Sequence, residues 1–423
     1  MNDFTYADPS SLHGQLQRGR GLGAARALDE PGVAADLVYA CAVNDSRWDR
    51  QTEHRSGYLA RLIHRLDLPL EPIELYVFDY NGDDADGIEP TLQILTELPL
   101  LGRFDAVPVL RRYAVEGLHW ADGLETIAYS DAWEQLPKLW TGLDADILAR
   151  RSDAELRAAM DEKSAPWTSW AQAWPRVRRF LDGDTDSGPA PVRPDLSGAG
   201  TADLHRLVAA RPGLGRQLAL RELGRRGDLG VLDMAEDTGL RNAAGGTPGI
   251  AQALRHLGSA AIPRARAWTG SGDDFLEWLA VEVLSGFGEA EDGPYLLKTL
   301  TTAAAEGAWC ATESPAKGLG RLRVAGATDA LVHAWESTIH SYAREALLEG
   351  LRGCAPEAVA DGFTEEGLDD CEPHVQEAAR AHAPDTASAR ARLDALGTDP
   401  LATGLHERAR QRLTPPASTG AAQ

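Results

Sequence analysis

The 423-residue chain predicts an all-α protein, an α-solenoid of antiparallel helical hairpins divided into an N-terminal and a C-terminal half. Three observations predict it. A phrase recurs: Ala219-Leu220-Arg221-Glu222-Leu223-Gly224 returns as Ala253-Leu254-Arg255-His256-Leu257-Gly258 and as Ala280-Val281-Glu282-Val283-Leu284-Ser285-Gly286, then more loosely around Leu319-Gly320 and Leu351-Arg352-Gly353. Its anchoring leucines Leu223, Leu257, Leu284, Leu319 and Leu351 lie 34, 27, 35 and 32 positions apart by subtraction, and periods of roughly 20–50 residues mark stacked arrays. Within a copy, apolar residues keep helical spacing, as with Leu214, Leu218, Leu220 and Leu223, until Gly224 and Gly227 interrupt and Leu229, Val231 and Leu232 begin the next helix. Finally, the chain exceeds the size at which one compact core stops growing.

In chain order, an irregular helical half covers 10–182, with helices expected over 12–28, 32–44 and 47–66. Residues 67–90 break the pattern: an apolar stretch in which Leu75-Tyr76-Val77-Phe78 reads as a short strand is followed by an acidic loop. Leu92–Leu98 forms a helix that ends near Gly102. The next starts at Asp105, an expected N-cap, with Pro108 in its first turn. Residues 183–200, rich in Pro, Gly, Ser and Asp, read as a linker. A C-terminal half of repeats covers 201–385, a terminal helical cap 386–412 and a disordered tail 413–423.

Net charge is −22. Non-specific nucleic-acid affinity comes from surplus Lys and Arg on phosphates, so this balance argues against it. Four cysteines are too few for a disulfide framework. No signal segment opens the chain and no apolar run reaches about 18 residues, so a cytoplasmic protein without a membrane span is expected.

The densest polar group is Asp45, Arg47, Asp49, Arg50, Glu53 and Arg55, three acids and three bases within one turn and helix start. It reads as a capped helix or as a pocket for a charged ligand. Together with Trp48 it supplies the candidate binding residues Asp45, Arg47, Trp48, Asp49 and Arg50. Trp167, Trp170 and Trp174 fall on one helical face, either as core or as a stacking surface; Trp120 and Asp122 form a further aromatic–acid pair. Asp79, Asn81 and Asp83 match the first ligands of a calcium loop, but Asp84 and Pro90 stand where Gly and Glu are required, leaving a solvated acidic loop. Cys354, Cys371 and His374 lack the spacing of a zinc site. The acids Asp361, Glu365, Glu366, Asp369, Asp370 and Glu372 read as a solvated face able to dock a basic partner. Gly19, Gly21 and Gly23 follow no strand, so they do not form a dinucleotide loop. No catalytic signature, metal site or cofactor is expected.

The turn Gly102-Arg103-Phe104-Asp105-Ala106-Val107-Pro108-Val109-Leu110, the stretch Leu223–Leu232 and Ala325-Gly326-Ala327-Thr328-Asp329-Ala330-Leu331 resemble the inter-helix turn and second-helix start of HEAT-like repeats. Leu16–Gly21 and Asp45–Gln51 are similar to HEAT-repeat proteins of unassigned function from GC-rich bacteria. The resemblance covers most of 10–385. It implies a non-enzymatic scaffold that binds a protein or peptide along a concave face through Arg, Trp and acidic side chains. Two alternatives come with the family. One is a HEAT-like DNA glycosylase or other nucleic-acid-processing protein, in which Trp48–Asp49 or Trp120–Asp122 handles a base. The other is a small-ligand binder or lyase built on the same scaffold.

Overall fold

The computed structural model describes residues 5–50, 53–160, 165–181, 195–210 and 212–402. The chain is all-helical, and no strand occurs among these residues. It separates into two compact units: residues 1–187 with 339–342 and 362–423, and residues 188–338 with 343–361. Residues 362–402 therefore group with the N-terminal helices, whereas the sequence pattern runs one half through 201–385. The proposed linker before 195, the end of the helical cap and the tail lie outside the described residues.

The first unit begins with α1 (Leu12–Gln17), α2 (Gly21–Asp29), α3 (Pro31–Val43), α4 (Ser56–Arg65), α5 (Glu71–Asp79), α6 (Glu89–Glu97), α7 (Ala106–Glu116) and α8 (Trp120–Ala128). It continues through α9 (Asp131–Gln135), α10 (Leu143–Arg150), α11 (Asp153–Ala159), α12 (Trp167–Ala173) and α13 (Pro175–Leu181). Helices α1 and α2 pack on α3, which packs on α4, α5 and α6; α6 then meets α7 and α8. Ile63, Ile73, Leu95, Leu98, Leu110, Leu124 and Ile127 are buried at the centre of this core.

Four sequence expectations change here. The helix expected over 12–28 is split into α1 and α2 at residues 18–20. Leu75–Phe78 belongs to helix α5: Pro72 opens its first turn, and Ile73 and Val77, four apart, are the buried pair. The helix expected over 47–66 starts only at Ser56, because the charged residues before it hold a loop together. Asp105 occupies the N-cap position of α7 but makes no cap bond; its carboxylate is taken by Arg103 at 2.7 and 3.0 Å. The glycine-rich opening is a packing device. A Cβ on Gly21 would lie 2.0 Å from the Glu366 carbonyl oxygen, and one on Gly19 would lie 2.5 Å from Cys371 Sγ.

The second unit holds α14 (Thr201–Ala209), α15 (Leu214–Arg225), α16 (Gly230–Glu236), α17 (Ile250–Leu257) and α18 (Ile262–Trp268). After these come α19 (Asp274–Phe287), α20 (Gly293–Glu306), α21 (Glu313–Leu322), α22 (Thr328–Ser337) and α23 (Arg344–Cys354). Helix α24 (Glu357–Gly367) begins here and ends in the first unit, where α25 (Pro373–His382) and α26 (Ala387–Thr398) follow. The packing order is regular. α15 packs on α17, α17 on α19, α19 on α21 and α21 on α23, while α16, α18, α20 and α22 each cover the helix that follows.

The recurring phrase explains this order. Each anchoring leucine is buried, and at several copies a glycine of the phrase lets the neighbouring helix come close. A Cβ on Gly224 would sit 2.4 Å from the Ala253 carbonyl oxygen, and one on Gly353 would sit 2.1 Å from the Gly320 carbonyl oxygen. Both obstacles are backbone, so relief requires moving a helix. Gly224→Ala is expected to destabilise by about 1–3 kcal/mol through overpacking. Gly362→Ala, within α24 and facing open space, is expected to stabilise by about 0.5–1 kcal/mol through helix propensity. Urea unfolding followed by circular dichroism checks both signs.

Candidate functional site

The loop between α3 and α4 is organised by its own charges. Asp45 accepts from the Arg47 backbone N–H at 3.0 Å and from the Arg47 guanidinium at 3.0 and 3.1 Å, and it pairs with Arg50 at 3.0 Å. Arg50 also reaches Asp86 in the acidic loop at 3.4 Å. Ser46 pins the turn by donating to the Gln17 carbonyl at 2.7 Å. The result is a self-paired turn that carries Trp48 outward, 42% exposed.

Behind that turn lies a buried polar cluster. Glu53 Oε2 accepts from the backbone N–H groups of Trp48 (2.6 Å) and Asp49 (3.3 Å). Its Oε1 accepts from the Ser341 N–H at 2.7 Å and faces His340 Nδ1 at 3.0 Å. Arg55 donates through Nη1 to Ser341 Oγ and Cys371 Sγ, both at 2.8 Å, and to the His54 carbonyl at 3.2 Å. Glu372 Oε1 accepts from Ser341 Oγ and from the His54 N–H at 2.9 Å, and lies 3.6 Å from Arg55. The side chains of Glu53 and Glu372 are fully buried and that of Arg55 is nearly so. One guanidinium thus stands between two carboxylates out of reach of water, where pairing and hydrogen bonding must offset a large desolvation cost. Burial works to push the Glu53 carboxyl up; the His340 hydrogen bond, the Arg55 charge and the Ser341 N–H outweigh it and hold the group below its ordinary value.

An aromatic row runs across this cluster. Trp48 meets His340 at 4.8 Å between centroids, His340 meets Tyr342 at 6.0 Å, and Tyr342 meets His374 at 4.3 Å. Trp48 and Tyr342 keep about two-fifths of their surface exposed. The row can stack on a ligand, but the cluster beneath it has no accessible nucleophile: Ser341 is fully buried and donates to a carboxylate, and Cys371 is buried beside Arg55.

The other sequence candidates fall elsewhere. Trp120 is buried, with the Arg151 guanidinium 4.6 Å from its ring centroid, while neighbouring Asp122 faces solvent. Trp167 and Trp170 pack edge-to-face at 5.3 Å inside the core, and Trp174 donates to Asp144 at 2.7 Å. These three form no open groove. Within the acid run, Asp370 and Glu372 are buried and Glu366 pairs with buried Arg20 at 2.8 Å, so that stretch is folded inward and is not a solvated docking face. Cys354 is half-buried, Cys371 is buried, and none of the four cysteines forms a disulfide. Sequence reasoning reaches Glu53 and Arg55 and misreads Glu372 as part of a solvated face; His340 and Ser341, about 290 positions away from the first two, carry no local motif and are not reached.

In the second unit the sequence pattern does not single out Trp278. It projects from α19, 46% exposed, stacked on Phe275 at 5.8 Å. Arg241 supports Phe275 from 5.1 Å while pairing with Asp273 at 2.7 Å. Charges along this unit pair between neighbouring helices: Arg255 on α17 with Glu282 on α19, Arg264 on α18 with Asp233 and Glu236 on α16, and Lys317 on α21 with Glu345 and Glu349 on α23. No family model, curated protein or solved structure matches the chain.

Proposed function

We propose that the second unit is a HEAT-like solenoid and that the protein is a non-enzymatic scaffold for a protein or peptide partner. The observation that carries this reading is the packing of α15, α17, α19, α21 and α23, each on the next. Linear stacking of this kind builds a long repeated surface and leaves chemistry to no single residue. The exposed Trp278 on its Phe275 support has the character of an interface anchor, since rigid aromatic side chains dominate binding hot spots.

The pairing of Arg255 and Arg264 with carboxylates of adjacent helices favours this reading over a polyanion-binding one. Exposed ion pairs of this type add little stability, but they occupy the guanidiniums that phosphates would need. Light cross-linking in native lysate, with and without nuclease, tests the proposal. A stoichiometric protein that survives nuclease and is lost with Trp278→Ala is the expected result. Recovery of nucleic acid, or loss of every partner on nuclease treatment, would overturn it.

A further inference from the structure

The first unit contains a second site, unrelated to the aromatic row. A cavity of about 360 Å³ opens between α4, α26 and the segment around Leu368. This lies at the small end of ligand pockets, which span roughly 300–1,000 Å³. Its lining is mostly apolar, with Tyr58, Leu62, Leu101, Leu368 and Leu396 beside the polar His64, Gln376 and Thr398. Tyr58 is buried and its hydroxyl is already committed to the Arg20 carbonyl at 2.9 Å.

The charged residues that line it are Arg61 and Arg65, one turn apart on α4, with Asp369 and Asp399. Arg61 pairs with Asp399, and Asp369 pairs with Arg392 of α26. Arg65 has no hydrogen bond or ion pair to any described residue, although it lies close enough to Asp369 to draw that carboxyl down against the stronger upward push of burial. Both lining carboxylates therefore already hold a guanidinium, while the Arg65 guanidinium remains to be met.

We propose that this cavity binds an apolar monocarboxylic acid of medium chain length, its carboxylate on Arg65 and its hydrocarbon against Leu62, Leu101, Leu368 and Leu396. A cationic head has no unpaired acid to meet. A multiply charged phosphate would face Asp369 and Asp399 at short range, where like charges repel. A single carboxylate matches the planar fork of one guanidinium.

Calorimetric titration of the full chain with decanoate, decylammonium and 1-decanol, each kept below self-association, tests the assignment. Decanoate is expected to bind at one site per chain and more tightly than either analogue. Arg65→Gln, a change at an exposed position, is expected to weaken it by about tenfold or more. Ala395→Trp, which places an indole at the exposed mouth, is expected to abolish binding with the circular dichroism spectrum unchanged. No binding of decanoate at about 1 mM, equal binding of decylammonium, or an affinity indifferent to both substitutions would overturn the proposal.

Discussion

Arg55→Met is expected to be the most damaging single substitution in the first unit, costing about 3–5 kcal/mol. The reason is what it leaves behind: Glu53 and Glu372 would remain buried with no guanidinium between them, and Ser341 Oγ and Cys371 Sγ would lose their donor. The pair cannot relax into water without opening the packing around residues 339–342. Removing the charge from the acids as well is expected to restore part of the loss, so the triple variant Arg55→Met, Glu53→Gln, Glu372→Gln is predicted to be more stable than Arg55→Met alone. The pH dependence follows the same logic. Glu53 is held below its ordinary value in the folded state, so its contribution is complete above the ordinary glutamate range and is lost as pH falls through the lowered folded value. Urea midpoints of the three proteins at neutral pH and at pH near 3 check the ordering; equal midpoints for Arg55→Met and wild type would contradict it.

Glu97→Gln is expected to act in the opposite direction. Burial at the end of α6 pushes this carboxyl up to about 7, with Asp131 and Asp399 adding to the rise while Arg61 and a hydrogen bond with Ser56 oppose it. The folded protein therefore holds this proton more tightly than the unfolded chain. The associated stability is complete below the ordinary glutamate value and is lost as pH rises from there to about 7. A tenfold change in proton affinity is worth about 1.4 kcal/mol. Because the side chain is not wholly shielded from solvent, the penalty above neutrality is reduced to the order of 1–3 kcal/mol. Gln removes it. The variant is expected to be the more stable protein at pH 8 and nearly equal to wild type at pH 4.5, as read by urea midpoints at the two pH values. Parallel curves offset by a constant amount would contradict the assignment.

Local regularity was legible in the sequence wherever one helix packs on the next. The leucines 223, 257, 284, 319 and 351 are core residues, and Gly224, Gly320 and Gly350 beside three of them sit where neighbouring backbones approach. Both facts are written into a repeated phrase. The misreading of 75–78 has an equally local cause. β-Branched and aromatic residues in a short apolar run suit a strand, but Pro72 and the four-residue interval from Ile73 to Val77 belong to a helix. What the sequence could not supply was long-range closure. The loop 45–55 has the pattern of a self-paired helix start, and its Asp45–Arg47–Arg50 part is indeed self-paired. Glu53 and Arg55, in the same motif, find partners at 340, 341, 371 and 372. For the same reason the acids at 370 and 372 read as solvated when they are buried. Trp278 escapes notice because nothing in its immediate sequence distinguishes an exposed indole from the buried Trp167 and Trp170.

If the second unit is the solenoid we propose, it behaves as a linear array in which each helix pair depends on its neighbours. Native-state hydrogen exchange of Gly224→Ala tests it most directly. The substitution forces apart α15 and α17 at the Ala253 carbonyl. Nearest-neighbour coupling predicts faster exchange in α14 through α17, fading along α19 and leaving α21 and α23 as protected as in wild type. Uniform loss of protection from α14 to α23 would show one indivisible core and contradict the array.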